Sequence, residues 1–300
     1  MSTRLLAGAE DGLHELGDEQ RVHFAGRECT AIATESTGIW TLVDRRDLWR
    51  CTSNGDWSQI AELDEFEAEC LLPTRAGVLV GTSEAHLAKL ADNGFEPVSS
   101  FDHAEGRDSW FTPWGGPPAV RSLSTDPDGA IYANVHVGGV LRSRDGGRSW
   151  QATIDVHADV HQVVFDAGSG LLLAASLGGL AVSEDRGESW TFNTEGLHAS
   201  YCRAVAIVGE TVLVTASTGP FTDRAAVYRA PLPASRAFEK CEAGLPKWFP
   251  KNIDTHCLAA SGAEAAFGTS DGRVFRSSDE GRTWELAAEG LALVRCGSFV

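Results

Sequence analysis

The chain has 300 residues, of which 43% are hydrophobic, and a formal net charge of −17. With 25 Lys and Arg against 42 Asp and Glu, it has no basic stripe to neutralise phosphates, so we expect no nucleic-acid partner. It contains no apolar stretch of membrane-spanning length and no signal-peptide pattern at its start, which predicts a cytoplasmic protein with no membrane partner.

Short apolar runs alternate with turns along the whole chain, at a period in the forties. The N-terminal segment LLAGAEDGLHEL supplies the second and third strands of a unit but lacks a first strand. Six complete units follow, and a polar residue leads into each opening apolar run. These openings are ECTAIA from Glu28, ECLLP from Glu69, RSLST from Arg121, HQVVF from His161, CRAVAI from Cys202 and HCLAA from His256.

The C-terminal segment VRCGSFV matches these openings and has nothing after it, so it completes the N-terminal unit. Repeats of this length suit four short strands each. We therefore predict an all-β chain with one domain over residues 1–300, a seven-bladed β-propeller of four-stranded antiparallel blades whose ring is closed by the C-terminal strand joining the N-terminal blade. The predicted blades are 294–300 with 4–24, 28–60, 68–101, 120–154, 160–195, 202–242 and 255–291.

Four of the seven cysteines occupy the same second position of the first strand in four units: Cys29, Cys70, Cys257 and Cys296. A small apolar side chain repeated at one packing position indicates filler at the blade interfaces. We expect no disulfides.

Three turns share the pattern S-x-D-x-G-x-[ST]-W: SRDGGRSW from Ser143, SEDRGESW from Ser183 and SSDEGRTW from Ser277. A carboxylate at the third position can accept hydrogen bonds from the following backbone amides, glycine allows the turn, and tryptophan buries its ring. The chain thus resembles the Asp-box or BNR-repeat propellers, which include the sialidases. The resemblance implies that the boxes lie between third and fourth strands, opposite the ligand face, and are scaffold.

A sialidase-like glycosidase is one alternative that this resemblance raises. It would need an arginine triad for a substrate carboxylate and a tyrosine nucleophile, for which the candidates are Arg121, Arg203, Arg295 and Tyr201. The N-terminal arginine motif is absent around Arg4, and sialidases have six blades, so the sequence departs from that family.

The face opposite the boxes carries the starts of the first strands, in the blade order Arg295, Glu28, Glu69, Arg121, His161, Cys202 and His256. The paired glutamates and arginines form either a salt-bridged ring or an acid–base site. In the second interpretation Glu28, Glu69, His161 and His256 are catalytic. The predicted substrate-binding residues are Arg121, Arg203 and Arg295, which would hold negative charge, together with Asn134 and His136.

His136, His161 and His256 are predicted to converge at this mouth, where they could bind a single divalent transition metal. The three longest insertions, 102–119, 217–226 and 242–254, rise on the same face and carry Trp110, Trp114 and Trp248. These rings either form a wall for an organic ligand or pack the loops onto the propeller. There is no phosphate-cradling loop, so we expect no nucleotide cofactor.

The sequence therefore predicts a small-molecule-binding propeller, with hydrolase, lyase or isomerase chemistry on a polar, anionic organic substrate. The alternative is a non-catalytic platform for a protein or peptide partner.

Overall fold

The computed structural model describes residues 4–17, 19–52 and 55–300. Within these ranges the strands form seven four-stranded antiparallel sheets, which are the blades. Blade 1 has β1 (Leu5–Ala9), β2 (Gly12–Leu16), β3 (Arg21–His23) and β28 (Val294–Phe299); blade 2 has β4 (Cys29–Glu35), β5 (Gly38–Val43), β6 (Asp47–Thr52) and β7 (Trp57–Glu62); blade 3 has β8 (Ala68–Thr74), β9 (Gly77–Thr82), β10 (Leu87–Ala91) and β11 (Gly94–Pro97).

The remaining blades follow in chain order. Blade 4 has β12 (Val120–Thr125), β13 (Ile131–Val135), β14 (Gly139–Ser143) and β15 (Gln151–Ala152); blade 5 has β16 (Val160–Phe165), β17 (Leu172–Ser176), β18 (Gly179–Ser183) and β19 (Thr191–Asn193). Blade 6 has β20 (Tyr201–Val208), β21 (Thr211–Ser217), β22 (Ala225–Pro231) and β23 (Glu239–Lys240); blade 7 has β24 (Leu258–Ser261), β25 (Glu264–Gly268), β26 (Val274–Ser277) and β27 (Glu285–Ala288).

Helical structure among the described residues is confined to α1 (Ser99–Asp102) and two 3-10 turns, Arg107–Ser109 and Val156–Ala158. None of these helices is long and apolar enough to cross a membrane.

The ring is closed by the two ends of the chain. The last strand, β28, pairs antiparallel with β1, so that Leu5 lies opposite Phe299. The first strands of neighbouring blades contact one another all the way round the axis. The predicted seven-bladed propeller and its closure by the C-terminal strand are confirmed.

Buried cysteines pack the interfaces between blades. All seven cysteines are free and buried. The Cys70 thiol donates to the carbonyl of Val120 on the next blade at 3.3 Å, and the Cys296 thiol donates to that of Cys29 at 3.7 Å. Burial raises the pKa of the Cys29 thiol to about 12, so this sulfur is an unreactive packing group.

The boxes lie between the third and fourth strands of blades 4, 5 and 7. In the first of them, Asp145 Oδ1 accepts from the amides of Arg148 and Ser149, both at 2.9 Å, and Oδ2 accepts from the Ser149 hydroxyl at 2.6 Å. Trp150 is 8% exposed. The box aspartates therefore accept the hydrogen bonds of their own turns. These turns lie on the face opposite the starts of the first strands.

A β-bulge lies near the start of most first strands, where pairing with the second strand skips a residue. The skipped residues are Arg295, Thr30, Glu69, Arg121, His161 and, in β20, residues 203–204. A bulge redirects its side chain, and here several bulged residues line the channel mouth. The sequence comparison placed Glu28 and Cys202 at this ring position, whereas Thr30 and Arg203 occupy it, because the bulge lies two residues after the aligned polar position in β4 and one residue after it in β20.

Candidate functional site

The mouth of the central channel on this face holds a polar cavity of about 160 Å³. Its walls come from the first strands of several blades and from the turns beside them. Residues that line it include Arg45, Glu69, Arg121, Asp254, His256 and Arg295. The cavity therefore gathers charged side chains that are far apart in the sequence.

Ion pairs fill the side of the mouth formed by blades 1 to 3. Arg295 contacts Glu28 at 2.8 Å and Glu10 at 2.6 Å. Arg45 pairs with Glu69 and lies 2.8 Å from Glu67. The two glutamates predicted as catalytic, Glu28 and Glu69, are thus each held by an arginine, which is the arrangement of the salt-bridged alternative.

Arg45 was missed by sequence reasoning. It lies in the turn between β5 and β6, within the charged segment DRRD, and has a left-handed backbone with φ of 56°. The only signal was that this turn is more basic than its counterparts in the other blades.

A second pair spans blade 6 and the connection that enters blade 7. Arg203 donates to Asp254 from Nε at 2.9 Å and from Nη2 at 2.7 Å, and its Nη1 donates to the Tyr201 hydroxyl at 3.0 Å. Desolvation raises the pKa of the Asp254 carboxyl, but the guanidiniums of Arg203 and Arg121 outweigh it and lower that pKa. Arg203 is therefore committed to a partner within the protein.

Arg121 differs from the other arginines of the mouth. Among the described residues its guanidinium has no hydrogen bond and no ion pair, although it lines the cavity. Desolvation, reinforced by the charge of Arg203, lowers its pKa. Of the three arginines predicted to hold a substrate carboxylate, Arg121 alone is left without a partner in the described part of the chain, since Arg203 and Arg295 are ion-paired.

His256 lies beside Arg121, and its side chain forms a hydrogen bond within the fold. Its Nε2 forms a hydrogen bond with the Arg121 carbonyl oxygen at 2.8 Å, and its backbone is left-handed with φ of 66°. Desolvation lowers the pKa of this imidazole. The contact fixes the Arg121 backbone at the cavity wall.

A compact group of His136, Asp159 and His161 lies where blades 4 and 5 meet. Asp159 Oδ1 is 3.3 Å from His136 Nε2 and 3.7 Å from His161 Nε2. Potential ligand atoms of these three residues all lie within 4.8 Å of one another. The structure thus brings together two of the three predicted metal-binding histidines, and Asp159 takes the place expected for His256.

His161 is fixed in one tautomer. Its Nδ1 donates to the Cys202 carbonyl at 2.6 Å, so Nε2 carries the lone pair. The side chain is fully buried, and desolvation together with the charge of Arg203 lowers its pKa to about 3. Both His161 Nε2 and Asp159 Oδ1 are buried without a hydrogen-bond partner among the described residues.

Asn134 has a structural role. Its Nδ2 donates to the Val160 carbonyl at 2.8 Å, and its Oδ1 accepts from the Ser122 hydroxyl at 3.3 Å. The amide is fully buried and joins blade 4 to the first strand of blade 5. It positions the strand that carries His161.

The insertion tryptophans divide into two kinds. Trp110 packs on Phe101 at a ring-centroid distance of 5.5 Å, and Trp248 lies 3.9 Å from Lys240 Nζ; both hold loops onto the propeller. Trp114 is 59% exposed and contacts Phe221, which is 90% exposed, at 5.5 Å. Trp114 belongs to the connection that enters blade 4 and Phe221 to a turn of blade 6, so their contact bridges the position of blade 5.

No protein-family model matches the chain, and no curated protein matches it in sequence. Solved structures with the same fold include U3-55K, with a TM-score of 0.63 and 15% identity over 90% of this chain and 84% of that chain. The GH74 enzyme of Niastella koreensis gives a TM-score of 0.62 and 15% identity over 94% of this chain and 46% of that chain. A nidogen/laminin complex gives 0.56 and 14%, over 85% and 97%.

At these identities the likeness establishes the propeller fold alone. The present chain spans less than half the length of the GH74 enzyme. The neighbours include an enzyme and a complex between proteins, so the same scaffold serves both kinds of function.

Proposed function

We propose that this propeller binds a small, polar, anionic organic molecule at the mouth of its central channel and acts on it as a hydrolase, lyase or isomerase. The observation that carries the proposal is the guanidinium of Arg121, which lines the cavity without a partner among the described residues. A guanidinium presents a rigid fork of donors that matches a carboxylate. A desolvated arginine that the fold leaves unpaired is therefore suited to an anionic ligand.

The size of the cavity limits the ligand. Its volume of about 160 Å³ is the share of roughly five waters in the liquid and lies below the usual range for drug-sized ligands. We therefore favour short mono- and dicarboxylic acids over sugars of the size that sialidases bind.

The reactive group in this proposal is the cluster of His136, Asp159 and His161. The cluster is not part of the cavity lining but adjoins it, since Thr255 of the lining donates to the His161 carbonyl at 3.2 Å. Glu28 and Glu69 are neutralised by arginines and serve to hold the mouth in shape. His161 Nε2 and Asp159 Oδ1 have no hydrogen-bond partner among the described residues, so this cluster, unlike the two glutamates, is free to act on a bound molecule, directly or through a coordinated cation.

The test is isothermal titration calorimetry with acetate, malonate, succinate and inorganic phosphate. We expect the wild type to bind at least one carboxylate, and Arg121→Gln to weaken that binding by roughly 10- to 150-fold, the usual value of a hydrogen bond to a charged group. Arg148→Gln, the same change on the opposite face, is the matched control and should bind as the wild type. Absence of binding by every acid, or equal affinity in Arg121→Gln, contradicts the proposal.

One observation favours a second function, the docking of a peptide or protein partner. Trp114 and Phe221 expose aromatic surface on the same face as the cavity, and exposed aromatics are typical of interaction surfaces. In that case Phe221→Ser should abolish partner binding while Arg121→Gln leaves it intact. The opposite pattern supports the small-molecule site.

We also infer that the chain belongs with the Asp-box or BNR-repeat propellers. This inference is supported by the three boxes, whose aspartates accept hydrogen bonds from the following turn in the same way.

A further inference from the structure

We propose that His136, Asp159 and His161 form a binding site for a divalent transition metal of the zinc class. The proposal concerns a cation and does not depend on which acid binds at Arg121. Three lines of geometry carry it: the spacing of the ligand atoms, the unsatisfied atoms at the centre of the cluster, and the way in which the fold holds each side chain.

The spacing fits a small cation. Asp159 Oδ1 lies 3.3 Å from one histidine Nε2 and 3.7 Å from the other. Ligands about 2.0–2.2 Å from a tetrahedral zinc are separated by roughly 3.3–3.6 Å, so the two oxygen–nitrogen distances are close to those that the metal requires. All three ligand atoms lie within 4.8 Å of one another.

Two buried atoms of the cluster have no hydrogen-bond partner among the described residues. His161 Nε2 and Asp159 Oδ1 both present lone pairs, they face each other, and neither has a hydrogen-bond partner among the described residues. Buried polar atoms without partners are rare in native proteins, and a bound ion or water commonly satisfies them. A cation coordinated by both atoms satisfies them together.

The surrounding structure fixes the ligands as metal sites commonly do. The Cys202 carbonyl holds the Nδ1 proton of His161 and so keeps Nε2 available for a metal. Asp159 is held in a left-handed conformation with φ of 46°, and its carbonyl accepts from the Leu177 amide at 3.1 Å. The nearby charge of Arg203 is offset by its two hydrogen bonds to Asp254.

Two nitrogens and one oxygen leave at least one coordination position open. This donor set is typical of catalytic zinc and of mononuclear non-haem iron sites, whereas magnesium and calcium prefer oxygen. The open position would face a water or a ligand group.

The experiment is a titration of the EDTA-dialysed protein with cobalt(II) chloride, followed by visible absorption, with zinc chloride as competitor. We expect one cobalt per chain and displacement by zinc. Asp159→Asn and His161→Gln should each weaken cobalt binding by at least about a hundredfold. His157→Gln is the matched control, because it is the same change at an exposed histidine of the same turn, and should bind as the wild type.

Asp159→Asn decides the outcome if the histidine variant fails to fold, since asparagine keeps the shape of aspartate and tolerates the left-handed backbone. The proposal is overturned if the wild type binds no stoichiometric cobalt or if folded Asp159→Asn binds it equally well. Calorimetry of the acids with the metal-free protein is a separate measurement, so loss of one site is distinguishable from loss of the other.

Discussion

The two halves of the channel mouth, around blades 1 to 3 and around blades 4 and 5, pair their charged side chains differently. Around blades 1 to 3, Glu28 and Glu69 are ion-paired with Arg295 and Arg45. Around blades 4 and 5, the strand starts carry Arg121 and His161. Among the described residues the Arg121 guanidinium has no hydrogen bond or ion pair, and His161 Nε2 has no hydrogen-bond partner. In our proposal, one half holds the ring together by ion pairs and the other binds the ligand.

The largest effect expected from this contrast is a metal-dependent rise in stability. With free zinc at about a hundred times its dissociation constant, the free energy of unfolding of the wild type should increase by about 2.7 kcal/mol. Asp159→Asn should show no such increase in a thermal unfolding experiment. Glu69→Gln, in the other half, should retain the full increase, and its loss there would show that the two halves are not independent.

A smaller effect of opposite sign is expected without metal. In EDTA, Asp159→Asn should raise the free energy of unfolding by about 1 kcal/mol, because the asparagine amide can donate to the unpartnered Nε2 of His161. Urea denaturation measures this change. Destabilisation of the metal-free protein by the same substitution would mean that the carboxylate already has a stabilising partner.

In the half formed by blades 1 to 3, removal of one charge should destabilise the protein modestly. Glu69→Gln breaks the pair with Arg45, both side chains being about one-quarter exposed, and should lower the free energy of unfolding by about 1 kcal/mol or less. Glu96→Gln, the same change at an exposed site, should have no effect and serves as control. An unchanged free energy of unfolding in Glu69→Gln would show that the pair does not stabilise the fold.

The smallest effect is expected at the boxes and depends on pH. The hydrogen bonds of Asp185, led by that from the Ser189 hydroxyl, lower its pKa to about 2. A folded-state pKa below the ordinary value contributes stability that is present above pH 4 and is lost as the pH falls towards 2. Asp185→Ala should therefore be less stable than the wild type at pH 7, the difference should shrink by pH 2, and acid binding should be unchanged.

The propeller could be predicted because each repeat has the same pattern of four short apolar strands separated by turns. The Asp, Gly and Trp of each box, the repeated interface cysteines and the incomplete terminal segments all indicate the same ring. The turn and strand patterns within each repeat and the pairing of the two chain ends all predict the same fold, which is why the fold could be predicted from the sequence.

The site was only partly predictable, because its partners come from turns whose course the repeat does not specify. Arg45 and Asp159 lie in turns with left-handed residues, and Asp254 lies in an insertion. The bulges also move the ring position by two residues in β4 and by one residue in β20, so that Thr30 and Arg203 replace the aligned Glu28 and Cys202. Sequence pattern locates the strand starts, but a one-residue bulge decides which side chain faces the mouth.

The most direct measurement is anomalous diffraction at the zinc edge from crystals grown with zinc chloride. The predicted result is one strong peak among His136, Asp159 and His161, about 2.0–2.2 Å from His136 Nε2, Asp159 Oδ1 and His161 Nε2. A map with no peak between these three side chains would contradict the assignment of this half of the mouth as the functional one.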